Sequence, residues 1–124
     1  MPVLLIADDS AGKRIMLRAL AHRHWRAATI VEATTSEEAM AVIGGATQLD
    51  AAFVDYYIPT QPGPVIIQAV KAKFPAARVA LVSSADRADN AAEARAAGAE
   101  AVVCSTAADA EGRLSDLLIE WAVA

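Results

Sequence analysis

Apolar residues gather in five short runs, Val3 to Ala7, Ala28 to Glu32, Ala51 to Val54, Val79 to Val82 and Ala101 to Cys104, and the stretches between them carry apolar positions at helical spacing. This alternation predicts five strands, each followed by a helix, with helices near 10–24, 35–44, 63–73, 86–97 and 107–122. Local signals agree with the partition. Thr35 and Glu38 stand at capping-box spacing, Pro64 suits a first helical turn, and Gly98 suits a helix end. The runs are apolar nearly throughout, as in Val3-Leu4-Leu5-Ile6-Ala7, which is what strands need when helices cover both faces of a parallel sheet. The fold class expected is therefore α/β, a doubly wound sheet sandwiched between two helical layers. Sheets of this kind place their ligand sites outside the carboxyl ends of the strands, where strand order reverses.

At 124 residues and 56% hydrophobic composition, the chain has the size and apolar content of one core, so a single domain over residues 1–124 is expected. Eleven Lys and Arg against fifteen Asp and Glu leave a net charge of −4, which argues against nucleic-acid binding through bulk charge. Aromatic residues that would stack on bases are scarce as well. No apolar run approaches the ~20 residues that cross a bilayer, and no basic segment leads into a signal-like stretch at the amino terminus. A cytoplasmic protein with no membrane role is expected. Cys104, the one cysteine, cannot form an internal disulfide, and beside Val102 and Val103 it reads as a buried strand residue rather than a reactive thiol.

The strand ends carry the candidate chemistry. The first ends in Asp8-Asp9, the third in Asp55 and the fourth in Ser83-Ser84, so acids and hydroxyls from three strands meet at one edge of the sheet. Crowded carboxylates repel one another unless a cation sits among them, and a hard divalent ion such as Mg²⁺ relieves that repulsion with oxygen ligands and retained water. Taken singly, Asp8 and Asp9 read as caps of the first helix and Asp55 as a turn residue. Together, with a hydroxyl opposite, they favour a metal site. A cation, a carboxylate and hydroxyl donors suit phosphoryl transfer, with Asp55 as the nucleophile that forms an acyl phosphate.

Three motifs sharpen this. Asp8-Asp9-Ser10 is followed by Arg14; Asp55 is followed by Pro59 and Gly63 within Asp55-Tyr56-Tyr57-Ile58-Pro59-Thr60-Gln61-Pro62-Gly63; and Ser83 is followed by Gly98-Ala99. The chain thereby resembles, over nearly its whole length, the response-regulator receiver domains of two-component signalling, of which the chemotaxis regulator is one. The resemblance implies a flavodoxin-like (βα)5 sandwich with a parallel sheet of order 2-1-3-4-5. It implies that Asp55 accepts a phosphoryl group from a sensor histidine kinase or a histidine phosphotransfer protein in the presence of Mg²⁺. Asp9 and Asp55 would ligate the ion directly with the backbone carbonyl of Tyr57, and Asp8 through water. Ser83 would contact a phosphoryl oxygen, and the backbone N–H groups of Tyr56 and Ser84 would complete the cradle. Such a domain is a switch rather than an enzyme, with at most weak self-phosphorylation and self-dephosphorylation, and it signals to a downstream target by protein–protein interaction.

The departures from the pattern matter equally. At the end of the fifth strand, where the family has a lysine and then usually a proline, the chain has Ser105 and Thr106. The aromatic that commonly reports phosphorylation, three residues before that lysine, is Val102, and Pro62 replaces an acidic residue before the glycine. Loss of the lysine removes a charge-assisted contact of about 1.5–3 kcal/mol. Lys13 and Arg87 are the nearest substitutes in sequence, and each reads better as a solvated surface residue.

Lys13, Arg14, Arg18, Arg23 and Arg26 form a basic stripe on or just after the first helix, which is either a solvated face or a surface that steers an acidic partner. His22 and His24 lack partners at metal-ligand spacing, and Trp25 and Trp121 suit the core edge or a partner contact. The alternative to a phosphoacceptor is a pseudo-receiver, an interaction module held in one state by the loss of the lysine and the aromatic. A phosphohydrolase fits least, because Tyr57 stands where a general acid would follow Asp55.

Overall fold

The computed structural model describes residues 1–123; Ala124, the last residue of the expected domain, lies outside the described residues. Strands β1 (Val3–Ala7), β2 (Thr29–Ala33), β3 (Ala51–Val54), β4 (Arg78–Ser83) and β5 (Ala101–Cys104) alternate with helices α1 (Ala11–His24), α2 (Ser36–Gly45), α3 (Gly63–Lys73), α4 (Ala88–Ala97) and α5 (Ala110–Val123). All pairings are parallel, and the sheet order is β2-β1-β3-β4-β5. Strand order therefore reverses between β1 and β3, and the carboxyl ends of those two strands mark the switch point.

Period-two alternation sends each strand's residues to two cores. Leu4, Ile6, Phe53 and Val82 pack with Leu17, Leu20, Leu114, Leu118 and Trp121 of α1 and α5. Leu5, Ala7, Val54 and Leu81 pack with Ile43, Ile66, Ile67, Val70 and Ala94 of α2, α3 and α4. Both tryptophans are buried; the Trp25 indole N–H donates to the Leu118 carbonyl at 2.8 Å, and the Trp121 ring lies 5.8 Å from that of Phe53.

Helix caps set the phase of the elements beside the acids. Ser10, not an aspartate, caps α1, accepting from the Lys13 N–H at 3.2 Å. Thr35 caps α2 through the Glu38 N–H at 3.1 Å, and the Glu38 carboxylate reaches back to the N–H and hydroxyl of Thr34, each at 2.7 Å. Helices α4 and α5 begin later than the apolar spacing predicts. Arg87 provides no side-chain cap for α4, and two tight turns, Ala107 N–H to Cys104 carbonyl and Ala110 N–H to Ala107 carbonyl, precede α5.

Candidate functional site

Residues just past the switch-point strands are held by extensions of the sheet. The Asp8 N–H donates to the Ala33 carbonyl and the Asp55 N–H to the Ala7 carbonyl, both at 2.9 Å, so each acid is fixed by the neighbouring strand. Because Ser10 caps α1, Asp8 and Asp9 are free of that duty. One Asp8 oxygen, Oδ1, accepts the Ser10 N–H at 2.8 Å, and the other faces the pocket. Asp8 is 1% exposed and Asp55 7%, whereas Asp9 is exposed. One carboxylate oxygen from each of Asp8, Asp9 and Asp55 lies within 4.8 Å of the others.

The loop after Asp55 turns back sharply. The Gly63 N–H donates to the Tyr56 carbonyl at 2.9 Å, and a Cβ at Gly63 would overlap the Asp55 carbonyl, so only glycine fits. Thr60 holds a left-handed backbone with φ 86°, and its hydroxyl donates to Glu37 at 3.0 Å. The ends of β4 and β5 close the other side. Ser83 is buried, its hydroxyl accepts the Ala85 N–H at 3.3 Å, and its carbonyl accepts the Ser105 N–H at 2.8 Å.

Lys13 corrects the sequence reading. Instead of standing on a solvated surface, its side chain is 10% exposed, and its ammonium lies 2.9 Å from Asp8 Oδ2 and 3.2 Å from Asp55 Oδ1. Ser10 places Lys13 in the first turn of α1, over the acids, and the cap residue was the sequence signal for it. Arg87, by contrast, is exposed. Apart from the Lys13 ammonium, those same two buried acid oxygens have no hydrogen-bond partner. Burial raises the Asp55 carboxyl above the ordinary carboxylate range; Lys13 opposes that rise and the Asp8 charge adds to it. Two buried carboxylate oxygens whose one neighbour is a mobile ammonium, beside a third carboxylate, suit a hard divalent ion well.

Three further findings bear on the sequence reading. The basic stripe is partly consumed internally: Arg14 donates to the Asp8 carbonyl at 2.9 Å and to Glu32 at 3.2 Å, and Arg18 also pairs with Glu32, which leaves Arg23 and Arg26 exposed. Cys104 is half-buried rather than core, with its sulfur 3.2 Å from the Thr106 hydroxyl, and hydrogen bonding there holds the thiol below its ordinary range. Tyr56 and Tyr57, which the motif uses only through their backbones, also reach α4. The Tyr56 hydroxyl donates to Glu93 at 3.0 Å, and Asn90 donates to the Tyr57 hydroxyl at 3.1 Å.

A concavity of about 500 Å³ between Met1, Trp25, Asp50 and Trp121 lies at the opposite end of the sheet and holds none of these acids. Chemistry, rather than size, locates the site. No helix among the described residues is long and apolar enough to cross a membrane.

Comparison with known proteins agrees with this geometry. A response regulator receiver domain from Methanospirillum hungatei, described as CheY-like, superposes with a TM-score of 0.80 at 18% identity, covering 99% of this chain and 98% of that one. A two-component response regulator from Clostridium difficile gives 0.84 at 13% identity, covering 99% and 97%. A response regulator from Burkholderia pseudomallei, solved with a phosphorylated aspartic acid, a calcium ion and citrate, gives 0.72 at 20% identity, covering 99% of this chain and 74% of that one. Among curated proteins no sequence matches. The sequence model described as the response regulator receiver domain matches residues 3–111, most of the chain and every acid of the site. With its fold and its acid cluster, the chain belongs to the response regulator receiver domain family, whose members act as phosphoacceptor signalling domains.

Proposed function

We propose that Asp55 is the phosphoacceptor, taking a phosphoryl group from a histidine-phosphate donor on a sensor histidine kinase or histidine phosphotransfer protein in the cytoplasm. The observation that carries this reading is the convergence of Asp8, Asp9 and Asp55 within 4.8 Å, with Asp55 buried at the end of β3. An Asp55 carboxylate oxygen attacks phosphorus, the P–N bond to the imidazole breaks, and the imidazole leaves as the acyl phosphate forms. Asp9, Asp55 and the Tyr57 carbonyl would hold a Mg²⁺ ion directly and Asp8 would hold it through water, and the ion would supply charge neutralisation to the phosphoryl oxygens. Ser83 donates its hydroxyl to one of those oxygens, and the backbone N–H groups of Tyr56 and Ser84 complete the cradle.

Ser105 and Val102, at positions where the family has a lysine and an aromatic, favour a second reading, an unphosphorylated interaction module. Intact-mass measurement after incubation with Mg²⁺ and acetyl phosphate separates the two. A gain of one phosphoryl group, absent from Asp55→Asn, is expected. An unlabelled wild type, or labelling that persists in Asp55→Asn, overturns the proposal.

A further inference from the structure

Ser105 has neither the charge nor the reach to contact a phosphoryl group as a lysine does, but the first turn of α1 supplies both. We propose that Lys13 is the relocated cation of this domain: it neutralises the acid pocket at rest and becomes the cationic contact of the phosphoryl group on Asp55. The inference rests on Asp55 as the acceptor.

The geometry supports it in two ways. An ammonium with a side chain only 10% exposed is stable where carboxylates surround it, and Lys13 lies 2.9 Å from Asp8 Oδ2 and 3.2 Å from Asp55 Oδ1. Among the described residues no other Lys, Arg or His forms an ion pair with either acid. Phosphorylation carries negative charge from the Asp55 carboxylate outward onto the phosphoryl oxygens. Rotation about the flexible four-carbon stem lets the ammonium follow that charge while α1 stays in place.

At rest, Lys13 and a divalent ion would contend for the negative charge of the same two carboxylates, Asp8 and Asp55, which the ammonium contacts at Oδ2 and Oδ1. Once a phosphoryl group is present, the two cations act together on its larger negative charge. Removing Lys13 therefore has opposite effects on the two states, which a purely structural role cannot produce.

The test uses Lys13→Met, with Mg²⁺ alone and beryllofluoride at saturating Mg²⁺ titrated separately by amide NMR; beryllofluoride stands in for the phosphoryl group. Beryllofluoride binding is expected to weaken about tenfold, the scale of a lost charge-assisted contact, while Mg²⁺ binding tightens. Adding Ser105→Lys to Lys13→Met restores beryllofluoride binding by returning a cation from β5. Unchanged beryllofluoride binding in Lys13→Met, equal weakening of both ligands, or no recovery in the double variant overturns the role of Lys13. A wild type that binds no beryllofluoride instead removes the reading of Asp55 on which it stands.

Discussion

Asp55 is held in a state that costs the fold stability. Its folded carboxyl binds a proton more readily than the unfolded one because burial outweighs the Lys13 charge. Linkage fixes the sign: a raised folded pKa means stability falls as pH climbs from the ordinary carboxylate range through the folded value, and the full cost is present above it. In the metal-free protein, Asp55→Asn should thus raise Tm at neutral pH, with the advantage shrinking as pH falls into that window; one kcal/mol corresponds to roughly 4 °C at this size. Thermal melts in EDTA across pH measure it, and a pH-independent difference would refute the burial argument. Gly63 carries the reverse expectation. Because its added Cβ meets the Asp55 backbone carbonyl rather than a movable side chain, Gly63→Ala should destabilise by about 1–3 kcal/mol in chemical denaturation and weaken beryllofluoride binding. At this scale the acid cluster and the tight turn at Gly63 were legible from motif spacing. Lys13 was not, since a lysine beside an acid pair reads as surface until the cap at Ser10 fixes which way the first turn faces. Nor does a threonine announce the left-handed backbone of Thr60.

Strands were the most legible elements, because a run such as Val3–Ala7 buried on both faces admits few polar residues. Helix starts were legible where a cap or a first-turn proline spells them out, as at α2 and α3, and not at α4 and α5. Thr35 and Glu38 predicted the start of α2 to within a residue, whereas α4 begins after an extended Arg87 that has no capping side chain. The C-terminus of α4 is the opposite case: Gly98 sits at φ 116°, and a Cβ there would also press on the Lys71 side chain at 2.9 Å. Two substitutions compare these ends. Thr35→Ala should cost about 1 kcal/mol, the usual worth of an N-cap. Gly98→Ala should cost about 1–2 kcal/mol, chiefly from the left-handed backbone, since the flexible Lys71 stem can yield. Urea denaturation of each checks the order, and a Gly98→Ala protein as stable as the wild type would show that the helix end relaxes to another conformation.

Across the whole molecule, the question is how far a charge placed on Asp55 is felt. At β5, Val102 has no ring to swing and borders a cleft of about 190 Å³ lined also by Leu81, Arg87, Asn90 and Cys104. Direct contacts also tie the Asp55 loop to α4. Tyr56 and Tyr57 follow Asp55 directly, pack edge to face with ring centroids 4.8 Å apart, and bond to Glu93 and Asn90 of α4. Any shift of the Asp55 loop that phosphorylation imposed would therefore pull on α4 without passing through β5. Amide shifts on adding beryllofluoride and Mg²⁺ should accordingly reach α4 around Asn90 and Glu93 and fade before the outer face of α5. Tyr56→Phe combined with Asn90→Ala, which cuts both hydroxyl links, should confine them to the loops around the acids. Val102→Tyr should extend them toward α5 by placing a ring beside the cleft. Wild-type shifts spread equally over α4 and α5 would show that β5 transmits the change despite Val102, and shifts absent from α4 would show that the tyrosine links are static ties.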